Sequence, residues 1–516
     1  LTMNLRNKLD LGEVFTSLSR MLPSSDRNKI VQFLLILTVA STLDSIGVLL
    51  IIPFIQIATN PALIHEHQLF SRIHNLFGTT SETRFLFYLG IMLITFYLFK
   101  GTFSLISNFK ILKFINYSRH QILEKLFYTY SHLDFKTFTK INSADISKVL
   151  FQESLHLSTA MRSFMEFWSE IIVIFILFCF ILYTDWKLAL LTTIFFGTTA
   201  ILIGKKVKHN NLEASKQRSF YAKETFKLFN EMIGNFKYIK VSNNNPFYQK
   251  KFNTFNFGQA RLTTNFQFLQ ALPRYIIELL GVAALISITI YIVYIYGTGE
   301  KFLGKMLAFA VVFYRALPSV NRILSSYGSI QFSRNTVKEV EEGKNLKTES
   351  LGDQTLSFNH KVFLDNLTFG YGDTKIFKNF SAGIKKGDKV ALVGKSGSGK
   401  TTFINLLLGL LEPSSGSIKV DDVKLDQSNY KNWRGKIGYI PQDIYLIDAS
   451  LSENVALGKA EKQDRIIEIL NNLDLQSLHQ EERGLKTPVG ENGLSLSGGQ
   501  KQRIGIARAI YSSPEI

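Results

Sequence analysis

The sequence predicts an all-α six-helix transmembrane domain followed by an α/β P-loop nucleotide-binding domain that is incomplete at its C-terminus. Three observations carry this prediction. Six apolar stretches precede residue 340, each near or above the roughly 20 residues that a bilayer-spanning helix requires. The 516 residues are 46% hydrophobic, include 43 phenylalanines and have a mean hydropathy of +0.10, an unusual balance for a soluble protein. A glycine-rich run at 394–401 lies between an apolar strand pattern and a helical one.

The six stretches fall at 30–57, 84–108, 167–183, 188–204, 275–296 and 306–326. Between the second and third, and between the fourth and fifth, lie long polar, helix-permissive segments at 110–165 and 205–272, too long for simple hairpins. An even number of spans returns both to the side that carries the second domain. The net charge of +18 is concentrated in such loops, as at Lys205, Lys206, Lys208, Lys216, Arg218, Lys223 and Lys227. That pattern matches cytoplasmic loops beside anionic lipid. No helix-turn-helix, RNA-binding aromatic motif or zinc spacing occurs, so nucleic acid is not an expected partner. The single cysteine, Cys179 in an apolar run, excludes a disulfide framework and reads as a small buried hydrophobe. The N-terminus shows no cleavable signal pattern, which makes the first span the targeting signal. An amphipathic segment at 62–75 reads as an external interfacial helix, with or without contact to a lipid tail. The domains expected are 1–336 for the membrane part, a polar linker at 337–359, and 360–516 for the nucleotide-binding part.

The run Gly394, Lys395, Ser396, Gly397, Ser398, Gly399, Lys400, Thr401 matches G-x-x-x-x-G-K-[ST]. Glycines there let backbone N–H groups curl round phosphate oxygens, Lys400 reaches the outer phosphates, and the Thr401 hydroxyl ligates Mg²⁺. Residues 389–393 read as a buried strand and 402–408, beginning at Thr402, as a helix whose N-terminus would face phosphate. ATP and Mg²⁺ are the expected ligands. Further on stands Leu496-Ser497-Gly498-Gly499-Gln500.

Together the two runs resemble those of the ATP-binding cassette family, in that family's order. The resemblance implies that Tyr371 stacks on adenine and that Gln442 contacts Mg²⁺ and the attacking water. It also implies that Ser497, Gly498, Gly499 and Gln500 form the signature, with Ser497 and Gly499 reaching the γ-phosphate held by the P-loop of a second subunit. A homodimer follows from it. Taken singly, Tyr371 also fits an ordinary strand-edge aromatic and Gln442 a solvated loop residue. The stretch 487–493 matches the family's run before the signature. The apolar strand ending in Asp-Glu and the switch histidine that follow the signature in that family do not occur before Ile516. No catalytic carboxylate is therefore assigned, and a truncated chain is expected in preference to a non-hydrolysing ATP-binding regulator. In exporters of this family short coupling helices tip the long loops; 132–138 and 235–247 resemble them, with solvated helix surface as the alternative.

Ionisable residues at membrane depth are costly and point to function. Arg315 and Arg322, seven residues apart on the sixth stretch, share a helix face subject to a kink at Pro318. Lys100 and Arg274 are expected at a similar inner-leaflet level, ringing a cavity with positive charge. The alternatives are an Arg274–Glu278 pair, a Lys100 that snorkels, and an Arg315 that neutralises Asp44. Residues 313–323 and 272–278 resemble the family's bacterial lipid-linked oligosaccharide flippases. That implies a substrate of polyprenyl-pyrophosphate-linked glycan, held through its pyrophosphate by these cations and flipped across the bacterial inner membrane. Export of lipid A, a peptide or a drug is the rival, favoured by a pocket lined with apolar and aromatic residues.

Overall fold

The computed structural model describes residues 11–22, 24–59, 61, 64, 71, 72, 74, 75, 81–296, 300–480, 483–493 and 495–516. Most of the amphipathic segment expected at 62–75 lies outside the described residues. The chain forms two compact units: Leu1–His132 with Ile141–Lys347, and Leu133–Lys140 with Thr348–Ile516.

The first unit is helical. A short amphipathic α1 (Leu11–Met21) precedes the long helices α2 (Ser24–Thr59) and α3 (Glu82–Ser131). Past α4 (Phe135–Phe138), which belongs to the second unit, α5 (Ser143–Ser147) and a π-helical turn at Lys148–Glu153 lead into α6 (Ser154–Thr184). Then come α7 (Trp186–Gly234), a short α8 (Phe236–Val241), α9 (Asn245–Tyr296), α10 (Glu300–Phe332) and α11 (Arg334–Lys344). At about 1.5 Å per residue, the 50 residues of α3 reach about 75 Å, far beyond a hydrocarbon core of about 30 Å. The polar segments after 110 and 205 are thus continuations of the long helices α3 and α7. Among the described residues four helical segments are long and apolar enough to cross a membrane: Asp26–Thr59, Glu82–Ser131, Ser143–Tyr183 and Asn245–Tyr291. The fourth and sixth expected stretches lie on α7 and α10, outside that set.

Apolar packing holds α1 in place: Val14, Leu18 and Met21 are buried in a core with Phe114, Ile122 and Leu126 of α3, and Phe15 stacks on Phe164 at 4.9 Å. The stretch read as a polar linker begins instead as α11, which buries Val337 and Val340 in the same core. Its apolar positions, three apart, form a stripe that the surrounding Glu and Lys hide in a composition count. Cys179, expected to be buried, is exposed.

A second departure concerns Arg218, read as one of the cytoplasmic loop cations beside anionic lipid. It is 2% exposed, and its Nη2 donates to Glu153 Oε2 at 2.7 Å and to Thr336 Oγ1 at 2.9 Å. Beside it, Lys148 Nζ lies 2.9 Å from both Glu339 Oε2 and Ser219 Oγ. On an α-helix, side chains five apart point about 140° apart. The π turn closes each bond over five residues and turns Lys148 and Glu153 to the same buried face.

In the second unit an antiparallel sheet in the order β2-β1-β3-β4 is built from β1 (Lys361–Tyr371), β2 (Thr374–Lys385), β3 (Ser415–Val420) and β4 (Val423–Lys424). Leu364, Leu367 and Ile418 from the sheet pack on Phe403 and Leu406 of α12 (Lys400–Leu407) and on Trp433 of α13 (Tyr430–Gly435). The Trp433 indole N–H donates to Leu407 O at 2.7 Å. Phe135 of α4 packs against the same core, and Asp134 caps α4 by accepting from Thr137 N and Thr137 Oγ1, both at 2.8 Å. A second apolar cluster joins α14 (Leu451–Ala456), α15 (Gln463–Asn472) and α16 (Gln476–His479) to α17 (Gly498–Tyr511) through Val455, Ile466, Leu478 and Ile504.

The buried strand expected at 389–393 is not present. That segment is irregular, and Val393 is 93% exposed. An apolar run becomes a strand only when a neighbour supplies its ladder, and no described strand pairs with it.

Candidate functional site

The glycine-rich loop leads into α12, which starts at Lys400. Gly397 and Gly399 adopt left-handed backbone, with φ +80° and +94°. A Cβ on Gly399 would come within 2.6 Å of Ile376 Cγ2, so strain and contact both demand glycine there. No side chain caps the α12 N-terminus, which leaves its first N–H groups to the loop side. Lys400 Nζ curls back to donate to Gly394 O (2.7 Å) and Lys395 O (3.0 Å). Ser396, Ser398 and Thr401 are exposed and Thr402 is buried. A loop with two left-handed glycines, an uncapped helix start and an ammonium at its centre fits a phosphate chain. Gly399→Ala is expected to lower ATP affinity at least tenfold, because it combines backbone strain of about 1–3 kcal/mol with the Ile376 clash; equilibrium titration with a fluorescent ATP analogue checks this.

Tyr371 ends β1, half-exposed, and its ring meets Phe369 edge-on at 5.2 Å. It pairs with Thr374 across the β1–β2 turn, and β2 residues Ile376 and Phe377 abut the Gly399 position. The hairpin thereby brings Tyr371 and the phosphate loop to one end of the sheet. Gln442 is exposed in irregular chain. Ser497 begins α17 in a capping box: its Oγ accepts from Gln500 N at 3.2 Å, and Gln500 Oε1 accepts from Ser497 N at 2.8 Å. Gly498 and Gly499 are exposed, and a Cβ on either would meet nothing within 4 Å.

The four cations expected to ring a cavity do not form one ring. Lys100 of α3 and Arg315 of α10 converge on Asp44 of α2, at 2.9 and 3.7 Å. Gly47 lets α2 and α3 approach there, and Tyr97 Oη donates to Gly47 O at 2.9 Å. Arg322 instead pairs through Nε with Glu170 Oε1 at 2.7 Å. Arg274 is exposed, and among the described residues no ion pair joins it to Glu278 or to any other carboxylate. Helix neighbours impose this division: the seven-residue repeat puts both arginines on one face, but their acids stand on different helices, α2 and α6. Glu170 was not picked out from the sequence, although a lone carboxylate within an apolar run is the signal that marks it.

A helical membrane unit followed by a phosphate-loop unit in one chain defines an exporter-type transporter with fused membrane and ATP-binding domains. The family model for the ABC transporter transmembrane region matches residues 23–316, and that for the ABC transporter matches 377–516. The chain belongs to the ABC transporter family. It is 27% identical over 387 residues to the ATP-dependent lipid A-core flippase of Burkholderia pseudomallei (strain 1710b), covering 72% of this chain and 64% of that protein. It is also 27% identical over 361 residues to the heterocyst differentiation ATP-binding protein HepA of Nostoc sp., covering 67% and 58%. The match thus spans about 64% of the length of that lipid A-core flippase. The solved structure of a bacterial Atm1-family ABC exporter with ATP bound shares the fold, with TM-score 0.76 and 18% identity over 95% of this chain and 84% of that one.

Proposed function

We propose that this chain is one subunit of a homodimeric, six-span flippase that uses ATP to move a phosphate-bearing, lipid-linked saccharide across the bacterial inner membrane. The observation that carries this reading is the shared carboxylate: Lys100 and Arg315 on one Asp44 leave excess positive charge among apolar helices. Guanidinium forks suit phosphate oxygens, and unneutralised charge at that depth calls for an anion. A polyprenyl-pyrophosphate-linked oligosaccharide supplies both phosphate and apolar tail. The lipid A-core reading has its own support in the names of the relatives. In the ATP-binding unit, Lys400 and the loop N–H groups would hold the phosphates, Thr401 and Gln442 the Mg²⁺, and Tyr371 the adenine. Mg²⁺ neutralises phosphate charge when bound. Ser497, Gly498, Gly499 and Gln500 would face the nucleotide of the second subunit.

The test pairs translocation in proteoliposomes with ATP hydrolysis on the same samples, offering a polyprenyl-pyrophosphate glycan and lipid A in separate arms. Arg315→Ala is expected to lower translocation at least tenfold while hydrolysis persists, since a charge-assisted hydrogen bond contributes about 1.5–3 kcal/mol. Asp44→Asn should keep translocation. Loss in Asp44→Asn with retention in Arg315→Ala would assign Arg315 to helix packing instead.

A further inference from the structure

Between α6, α7 and α10 lies a cavity of about 260 Å³. Ile174, Leu177, Phe196, Phe309, Phe313 and Val320 account for much of its wall, and no charged side chain lines it. Its hydroxyls are satisfied within their own helix: Thr192 and Thr193 donate to Ala189 O at 3.0 and 2.7 Å. The space thus offers water no free side-chain donor, only the acceptor lone pairs of these two hydroxyls. It exceeds the roughly 150 Å³ of an apolar cavity that stays dry and admits benzene.

Gly197 of α7 sits on this wall. A Cβ built there meets nothing within 4 Å, so no packing requires glycine, although a helix interior disfavours it against alanine. Its effect is to leave the space open. On the same stretch of α7, Thr193 and Ile194 are exposed, so the wall continues into the outer apolar surface of the helix. At one end Ile174 stands one turn beyond Glu170, and Ile323 stands next to Arg322. Arg322 engages Glu170 through Nε, yet its side chain is 45% exposed, leaving a cation accessible beside that end.

We propose that this cavity binds one acyl chain of an anionic membrane phospholipid, with the phosphate at the Arg322 end. At under twice the volume of that benzene-sized cavity, the space suits the end of a single chain rather than a multi-chain lipid. The site is distinct from the cation pair at Asp44, and its occupant is a resident lipid rather than cargo.

The probe is phosphatidylglycerol carrying a diazirine at the end of one acyl chain, mixed into phosphatidylglycerol vesicles holding the full chain. After photolysis, peptide mapping is expected to find adducts within 174–181 and 192–200. Gly197→Leu, which fills the space, should lower them at least fivefold, and Gly197→Ala by less. Gly101→Leu, also placed where a Cβ meets nothing within 4 Å, should leave them unchanged, as should adducts on the exposed face of α3 at 87–99 in every variant. Absence of cavity adducts in the parent would overturn the proposal. So would undiminished labelling in Gly197→Leu and Gly197→Ala, or an equal loss at 87–99. Thermal unfolding checks that each variant is folded, with Gly197→Ala deciding if Gly197→Leu is not. No ATP or cargo enters the assay, so its failure is separable from failure of the flippase reading.

Discussion

Arg218→Ala is expected to lower the stability of the helical unit by about 3–5 kcal/mol, read as a large fall in Tm in detergent. The size follows from burial. Arg218 and Glu153 are 2% and 0% exposed in their side chains and 2.7 Å apart, so removing the guanidinium strands a carboxylate in the interior. Glu153 would keep Thr336 as its donor, and its Oε1 already has no hydrogen-bond partner. The Arg218 guanidinium also lies 5.4 Å over the Phe332 ring, a contact that alanine cannot make. Replacing both members, Arg218→Met with Glu153→Leu, should recover much of the loss, because desolvation of two charges offsets most of what their attraction contributes. A loss below about 1 kcal/mol in the single variant would mean that water reaches the cluster, as it does at surface pairs.

Lys400→Ala is expected to abolish phosphate release in the complete protein and to weaken ATP binding by about 10- to 150-fold, the equivalent of one charge-assisted contact of about 1.5–3 kcal/mol. Lys400 is the cation held at the loop centre, on the carbonyls of Gly394 and Lys395. Phosphate displacing those carbonyls would take over its donors, and the same charge would follow the transferred phosphoryl group. Phosphate release and ATP titration in liposomes check both effects. Turnover within twofold of the parent would reject this loop as the hydrolytic site.

Much of the molecule was legible because its signals are local. A helix after the glycine-rich run was expected from local residues and is present, starting at Lys400 rather than Thr402. Hydropathy runs find long helices because each span satisfies its own backbone hydrogen bonds, whatever its neighbours do. Asp44 could be named as a partner for Arg315 because both are rare charges in apolar runs. What the sequence by itself determined is therefore the family, the helical membrane part and the order of the two domains.

Tertiary structure alone decided where charges and edges find partners. Lys100 and Arg315 share one acid, Arg322 takes Glu170, and Arg274 takes neither that acid nor Glu278. Arg218, indistinguishable in sequence from its solvated neighbours, is buried because a π turn on α6's leading edge swings Glu153 to meet it. Residues 389–393 are apolar enough for a strand yet remain irregular, and the polar 334–344 folds as a packed helix. In each case the deciding energy is an interaction between residues far apart in the chain. A buried charge or an unpaired strand edge has no preferred state until the fold supplies its complement.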